Sequence, residues 1–92
     1  MKIVFDKVKN ECNITERQLS FDQVQDFDFV TAKIWQDVRK IYSEPRYAAL
    51  GFLEERLHFL CFSKVSNGIR VISFRKANVR EVKEYETTLT NN

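Results

Sequence analysis

The run Leu57-His58-Phe59-Leu60-Cys61-Phe62 constrains this chain most, because alternate positions along it are apolar on both faces. An extended segment of that kind must be covered on each side, which places it in the middle of a sheet. Asn67-Gly68 comes soon after and is the strongest hairpin signal in the sequence. Both residue types accept the positive φ that a type I′ turn requires, so the pair is expected to join the central strand to Ile69–Arg75. Upstream, Glu54-Glu55 reads as a polar turn after a strand over Arg46–Leu53. The polar stretch Gln36–Glu44 separates that strand from a β-branched and aromatic one over Phe29–Trp35.

Helical signals lie at both ends. Lys2–Phe5 is a short apolar strand, and Asp6 can cap a helix running to about Arg17 with Val8, Cys12 and Ile14 or Thr15 inward. Ser20 with Gln23 three residues later is a capping-box signature, and Phe21, Val24 and Phe27 follow at helical spacing. Asn78 with Glu81 repeats the signature before a last helix, with Val79, Val82, Tyr85 and Leu89 along one stripe. Thr87–Asn92 is expected to fray. Strands joined by short turns pair antiparallel, so the expected class is α+β: an antiparallel sheet of about four strands, packed by two N-terminal helices and one C-terminal helix. With 92 residues and no linker or repeat, one domain spanning 1–92 is expected.

Composition excludes several functions. Two Gly and one Pro cannot write a Gly-rich phosphate loop or a dinucleotide fingerprint. Two Cys and one His cannot supply four zinc ligands from one chain, so neither a metal site nor a cofactor is expected. Cys12 and Cys61 read as two reduced thiols. Met1–Asp6 lacks a signal-peptide core and no apolar run approaches a membrane span, so a cytoplasmic protein with no membrane partner is expected. The net charge is only +2, but it is unevenly spread: residues 1–45 sum to −1 and residues 46–92 to +3. Between Lys64 and Lys83 six basic residues face one acid, Glu81, as on a phosphate-facing surface or a solvated charged face.

His58, the single imidazole, stands between Leu57 and Phe59 and reads as a packed strand residue more readily than as a catalyst. The segment Ile69–Glu86 carries more chemistry. Strict strand alternation would put Arg70 and Lys76 on one face and Arg75 on the other, so the two arginines share a site only if the strand bends. Arg75, Lys76 and Arg80 gather around the start of the last helix, an anion-favouring corner. Glu81 and Tyr85, four apart, add a carboxylate and a phenol on one helix face. Such groups suit metal-free RNA cleavage, which needs a base for the 2′-hydroxyl, an acid for the leaving oxygen and positive charge at the phosphorus. The structural alternative is that Glu81 completes the capping box, Arg80 pairs with Glu84 and Tyr85 is a core-edge aromatic.

Arg70-Val71-Ile72-Ser73-Phe74-Arg75-Lys76-Ala77, followed by Glu81 and Tyr85-Glu86, resembles the Arg-Ile-Ile-Ser-Ala-Arg-Lys-Ala segment with its following Glu and Tyr in the BrnT toxin family. Ile3–Asp6, Asn10, Asn13-Ile14, Ser20-Phe21, Glu44–Tyr47 and Gly51 extend the resemblance over nearly the whole chain. The resemblance implies a RelE-like, metal-independent ribonuclease toxin of a bacterial type II toxin–antitoxin pair that blocks translation by cutting RNA. It implies a BrnA-like antitoxin as partner, operator DNA reached only through that antitoxin, and a heterotetrameric complex. Carried over, the catalytic positions are Arg70, Arg75, Lys76, Glu81 and Tyr85: Glu81 as base or positioning group, Lys76 and the arginines as phosphate and transition-state stabilisers, Tyr85 as acid or stacking group. RNA-binding candidates are Arg46, Lys64, Arg80 and Lys83, and Trp35 and Tyr42 are candidates for the antitoxin interface.

The chain departs from the family in two places. Glu16-Arg17-Gln18 stands where the family commonly has Lys-His-Gly, and Val82 where a basic residue often follows the helix Glu. Two readings therefore stay open: an active ribonuclease toxin, and a catalytically weak or inactive toxin-fold module acting through an antitoxin or in transcriptional repression.

Overall fold

In a computed structural model, which describes residues 1–90, the elements run β1 (Lys2–Phe5), α1 (Lys7–Arg17), a 3-10 helix (Phe21–Asp26), β2 (Lys33–Asp37), β3 (Arg46–Leu53), β4 (Arg56–Val65), β5 (Gly68–Lys76) and α2 (Val79–Thr90). One sheet orders the strands β1-β5-β4-β3-β2, with the doubly apolar β4 at its centre. The class is α+β as expected, but the sheet has five strands, not about four. It is mixed rather than antiparallel, because β1 returns to pair in parallel with β5. All other neighbours are antiparallel.

Glycine 68 explains how β1 reaches that position. A Cβ there would overlap the carbonyl of Lys2, so only a glycine allows the first strand to lie against β5. The hairpin turn correspondingly sits one residue earlier than expected. Val65 pairs with Gly68, leaving Ser66-Asn67 as the two-residue loop, and only Asn67 has positive φ, at 64°. The glycine at this hairpin serves close packing instead of turn geometry.

The two faces of the sheet are covered differently. On one, the 3-10 helix and its flanks bury Leu19, Phe21, Val24 and Phe27 against Ala49, Leu60, Ile69, Val71 and Phe74. On the other, α2 covers only one end, packing Tyr85 and Val82 on Leu50, Leu57 and Phe59. No other helix among the described residues covers that second face.

The helices differ from the sequence expectations in instructive ways. In α1 the expected inner residues Val8, Cys12 and Ile14 are exposed, and the inward positions are Asn10 and the buried Asn13. Asn13 Nδ2 donates to the carbonyls of Leu19 and Phe74, both at 2.9 Å, while Asn10 Oδ1 accepts from Phe21 N–H at 2.7 Å. The helix is therefore attached by polar bonds, and Asn13 occupies the β5 edge where β1 has ended. The second helix winds as a 3-10 turn, with Ser20 Oγ accepting from Asp22 N–H at 3.2 Å. Residues 29–32, expected as strand, are loop, because the Asp28 carboxylate accepts from Val30 N–H, Thr31 N–H and Thr31 Oγ. The strand begins at Lys33 instead. In α2, Val79 and Leu89 are exposed and only Val82 and Tyr85 face inward. Helix α2 continues through Thr90 where fraying was expected; Asn91 and Asn92 lie outside the described residues.

Candidate active site

A single irregularity in β5 assembles the site. Cys61 pairs with Ser73 but Phe62 with Val71, so Ile72 is an extra, bulged residue. Strand alternation is reset there: Ile69, Val71 and Phe74 all enter the core, while Arg70, Ser73 and Arg75 all face the open side. The bend that the two arginines needed in order to share a face is this bulge.

The open face holds a groove of about 460 Å³, walled by Trp35, Tyr42, Ile72 and Glu81 and floored by Ala48, Cys61 and Ser73. At one end Arg75 reaches Glu81 in a bidentate pair, with Nη1 and Nη2 2.8 and 2.9 Å from the two carboxylate oxygens. Its guanidinium also stacks on Phe59, 4.4 Å from the ring centroid. Glu81 is held from its own helix as well: it accepts from Asn78 N–H at 2.9 Å while Asn78 Oδ1 accepts from Glu81 N–H at 2.8 Å. This is the reciprocal capping box expected from the sequence, so one carboxylate both starts α2 and faces the groove. The Arg75 hydrogen bonds hold the Glu81 carboxyl below its ordinary value, and it is ionised at neutral pH.

At the other end Asp37, its side chain 6% exposed, accepts two bonds from the Arg39 guanidinium, both at 2.9 Å, and one from Tyr42 Oη at 3.0 Å. The Arg39 bonds hold Asp37 far below the usual carboxylate range. Arg46, opposite Asp37 in the β2–β3 register, stacks on the Tyr42 ring at 4.3 Å. Arg70 lies beyond, 3.1 Å from Glu44 Oε1, which also accepts from Ser63 Oγ at 2.9 Å.

The remaining candidates are placed elsewhere. Lys76 ends β5 on the opposite side from Arg75 and lines an adjoining depression with Arg17, Gln18, Leu19 and Arg75. Lys64 is on the core side near the end of the central strand, opposite Ile69 and over the Tyr47 ring at 4.7 Å. Arg80 and Lys83 are exposed on α2 and do not line the groove. Tyr85 is only 4% exposed, and its hydroxyl donates to Thr31 O at 2.9 Å while its ring stands edge-on to Phe52. Glu84 pairs with Lys33 at 3.7 Å rather than with Arg80. His58 is buried against Phe74 with Nδ1 2.8 Å from Arg56 O, and burial pushes its imidazole below the ordinary value. Both cysteines are unpaired; burial raises the Cys61 thiol.

Residues 5–81 match the family model described as the BrnT ribonuclease toxin of type II toxin–antitoxin systems. The chain belongs to the BrnT toxin family. No curated protein matches it. The BrnT match spans every groove residue, from Trp35 on β2 to Glu81 on α2. It also spans groove residues that sequence reasoning missed: Asp37, Arg39, Phe59 and Ser73. The sequence pattern puts Asp37 in the polar loop Gln36–Glu44, whereas β2 runs on through it and Lys33, Trp35 and Asp37 alternate toward one face. Phe59 was legible as strand, but its role beneath Arg75 depends on a register that the bulge alters.

Membership of the BrnT family gives the chain a broad class, that of a ribonuclease toxin of type II toxin–antitoxin systems, which implies an antitoxin partner. Within this BrnT chain the departure at residues 16–18 has a structural counterpart. Gln18, where the family commonly has glycine, adopts a left-handed conformation at φ 52°, ψ 38°, and its N–H donates to Ile14 O. Arg17, in the place of the histidine, donates to Asn13 Oδ1 at 3.1 Å and lines the depression beside Lys76.

Proposed function

We propose that the groove is the catalytic site of a metal-independent endoribonuclease, and that Arg75 and Glu81 carry the reaction while Arg70 and Lys76 hold the RNA to either side. The observation that supports this most is the bidentate Arg75–Glu81 pair facing an open cationic groove. In the free protein Arg75 keeps Glu81 ionised. When an RNA phosphate enters, Arg75 turns from the carboxylate to the phosphate, and the released Glu81 gains proton affinity at the moment a base is required. Glu81 takes the 2′-hydroxyl proton, the 2′-oxygen bonds to phosphorus, and the bond to the 5′-oxygen breaks, with that oxygen leaving with a proton from water. The products are a 2′,3′-cyclic phosphate and a 5′-hydroxyl. Arg75 stabilises the charge developing on phosphorus, Arg46 anchors a neighbouring phosphate in the groove, and Arg70 beyond one end and Lys76 in the adjoining depression hold phosphates further along the strand. Lys64, Arg80 and Lys83 add long-range attraction for RNA from outside the groove. Tyr85 takes a packing role in this mechanism, since its phenol is engaged in the interior.

At the cellular scale the reading is a RelE-like toxin in the bacterial cytoplasm that halts translation by RNA cleavage. A BrnA-like antitoxin neutralises it, joins it in a heterotetramer and brings the complex to operator DNA. The second reading, an inactive binding module, draws on the altered residues 16–18 and on the carboxylate already paired with each of Arg39, Arg70 and Arg75. Controlled induction of the chain alone in a bacterial host separates the two. Arrested growth and protein synthesis with the native chain, and neither with an Arg70→Ala, Glu81→Ala version at equal soluble level, supports the toxin. Normal growth with both supports the binding module.

A further inference from the structure

The groove floor is unusual in its uniform smallness. Ala48 lies opposite Cys61 and Cys61 opposite Ser73, so three small side chains stand abreast on the three inner strands, and Trp35 lies opposite Ala48 on the outer one. Larger residues would fill this row; here it is a slot whose wall is an indole, 36% exposed. One step along the sheet in each direction brings a guanidinium, Arg46 on one side and Arg75 on the other. Arg46 is the end free to take an anion: among the described residues no carboxylate pairs with it, and its guanidinium is held in place by the Tyr42 ring.

We propose that this slot receives one unpaired nucleobase of single-stranded RNA, stacked on Trp35, with the flanking phosphates on Arg46 and Arg75. The proposal rests on the ribonuclease reading above and adds a substrate class to it. A flat heterocycle is what a shallow slot with an aromatic wall accepts, and every base has the π-face needed, so stacking supplies affinity with little sequence choice. A paired base cannot enter, because in A-form duplex it is stacked inside a helix whose deep groove is too narrow for side chains to follow. The geometry thus selects unpaired RNA before any base edge is read.

The chain contains one Trp, so its emission reports directly on the slot. The probe is a fluorescein-labelled ten-nucleotide RNA of mixed sequence with 2′-O-methyl groups to prevent cleavage, used alone and annealed to its complement. Anisotropy should show the single strand binding more tightly than the duplex, with saturable quenching of Trp35. Trp35→Ala should weaken single-strand binding about tenfold, and Trp35→Phe, which keeps a stacking ring, should bind within about twofold of the native chain. Equal affinity for the duplex, unchanged binding by Trp35→Ala, or a Trp35→Phe variant as weak as Trp35→Ala would each overturn the proposal. If the native chain still cleaves RNA in any of those cases, the ribonuclease reading survives without the slot. A folded native chain that neither binds nor cleaves RNA overturns both.

Discussion

Three residues concentrate the tension between folding and chemistry. Gln18 occupies a left-handed conformation that a side chain resists by roughly 1 kcal/mol or more, and that glycine adopts freely. Gln18→Gly is therefore expected to raise stability by about 1 kcal/mol, read as a higher urea midpoint at unchanged slope. Gly68 is the opposite case: a methyl group there collides with the Lys2 carbonyl, so Gly68→Ala should cost about 2 to 3 kcal/mol or detach β1. Glu81 serves two roles at once, and Glu81→Gln separates them. Glutamine also completes a capping box, so the fold should persist, while loss of the base should lower the cleavage rate by about a hundredfold to ten-thousandfold and RNA affinity should hold or rise, because Arg75 no longer faces a competing carboxylate. A variant that retains native activity would leave Glu81 as a helix cap alone.

At the scale of elements, β5 decides the site. Its first half presents Ile69 and Val71 to the core, its second half Phe74, and the change of parity is absorbed at Ile72. Deleting Ile72 should join Val71 directly to Ser73 in a regular ladder, leaving Ile69, Val71 and Phe74 in the core and Arg70 and Arg75 on the open face, so the near-ultraviolet circular dichroism of a packed core should persist; its loss would show that the bulge is needed for packing. The central strand, the helix caps at Asn78 and the hairpin partners were legible because their signals are local: alternation, a capping pair, a turn residue. The bulge was not, since one inserted residue leaves the hydrophobic pattern readable in two registers. The parallel return of β1 was equally hidden, because the glycine that permits it acts on a strand more than sixty residues away in sequence. Helix α1 misled for a different reason: its inward face is made by Asn10 and Asn13, and hydrogen-bonded attachment has no hydrophobic periodicity to read.

For the whole molecule, the open sheet face leaves the groove's carboxylates stabilised as anions by cations rather than by water. Asp37 and Glu81 both have folded-state values depressed by arginine hydrogen bonds. Their contribution is complete above the ordinary carboxylate value and is lost as pH falls through the depressed one, because in that window the unfolded chain binds more protons. The urea midpoint should therefore decline from about pH 4.5 downward, and an Asp37→Asn, Glu81→Gln double variant should start lower but decline less steeply. Equal slopes for the two proteins would show that these ion pairs do not set the acid limit. The same arrangement makes the central claim, cleavage of RNA without metal by the Arg75–Glu81 groove, directly measurable. The decisive experiment is incubation of the purified chain with end-labelled RNA in excess EDTA, beside an Arg75→Ala variant of matched circular dichroism. Fragments ending in 2′,3′-cyclic phosphate from the native chain, and none above background from the variant, are the expected result; cleavage of equal rate and pattern by both proteins, or no cleavage by the folded native chain, would contradict it.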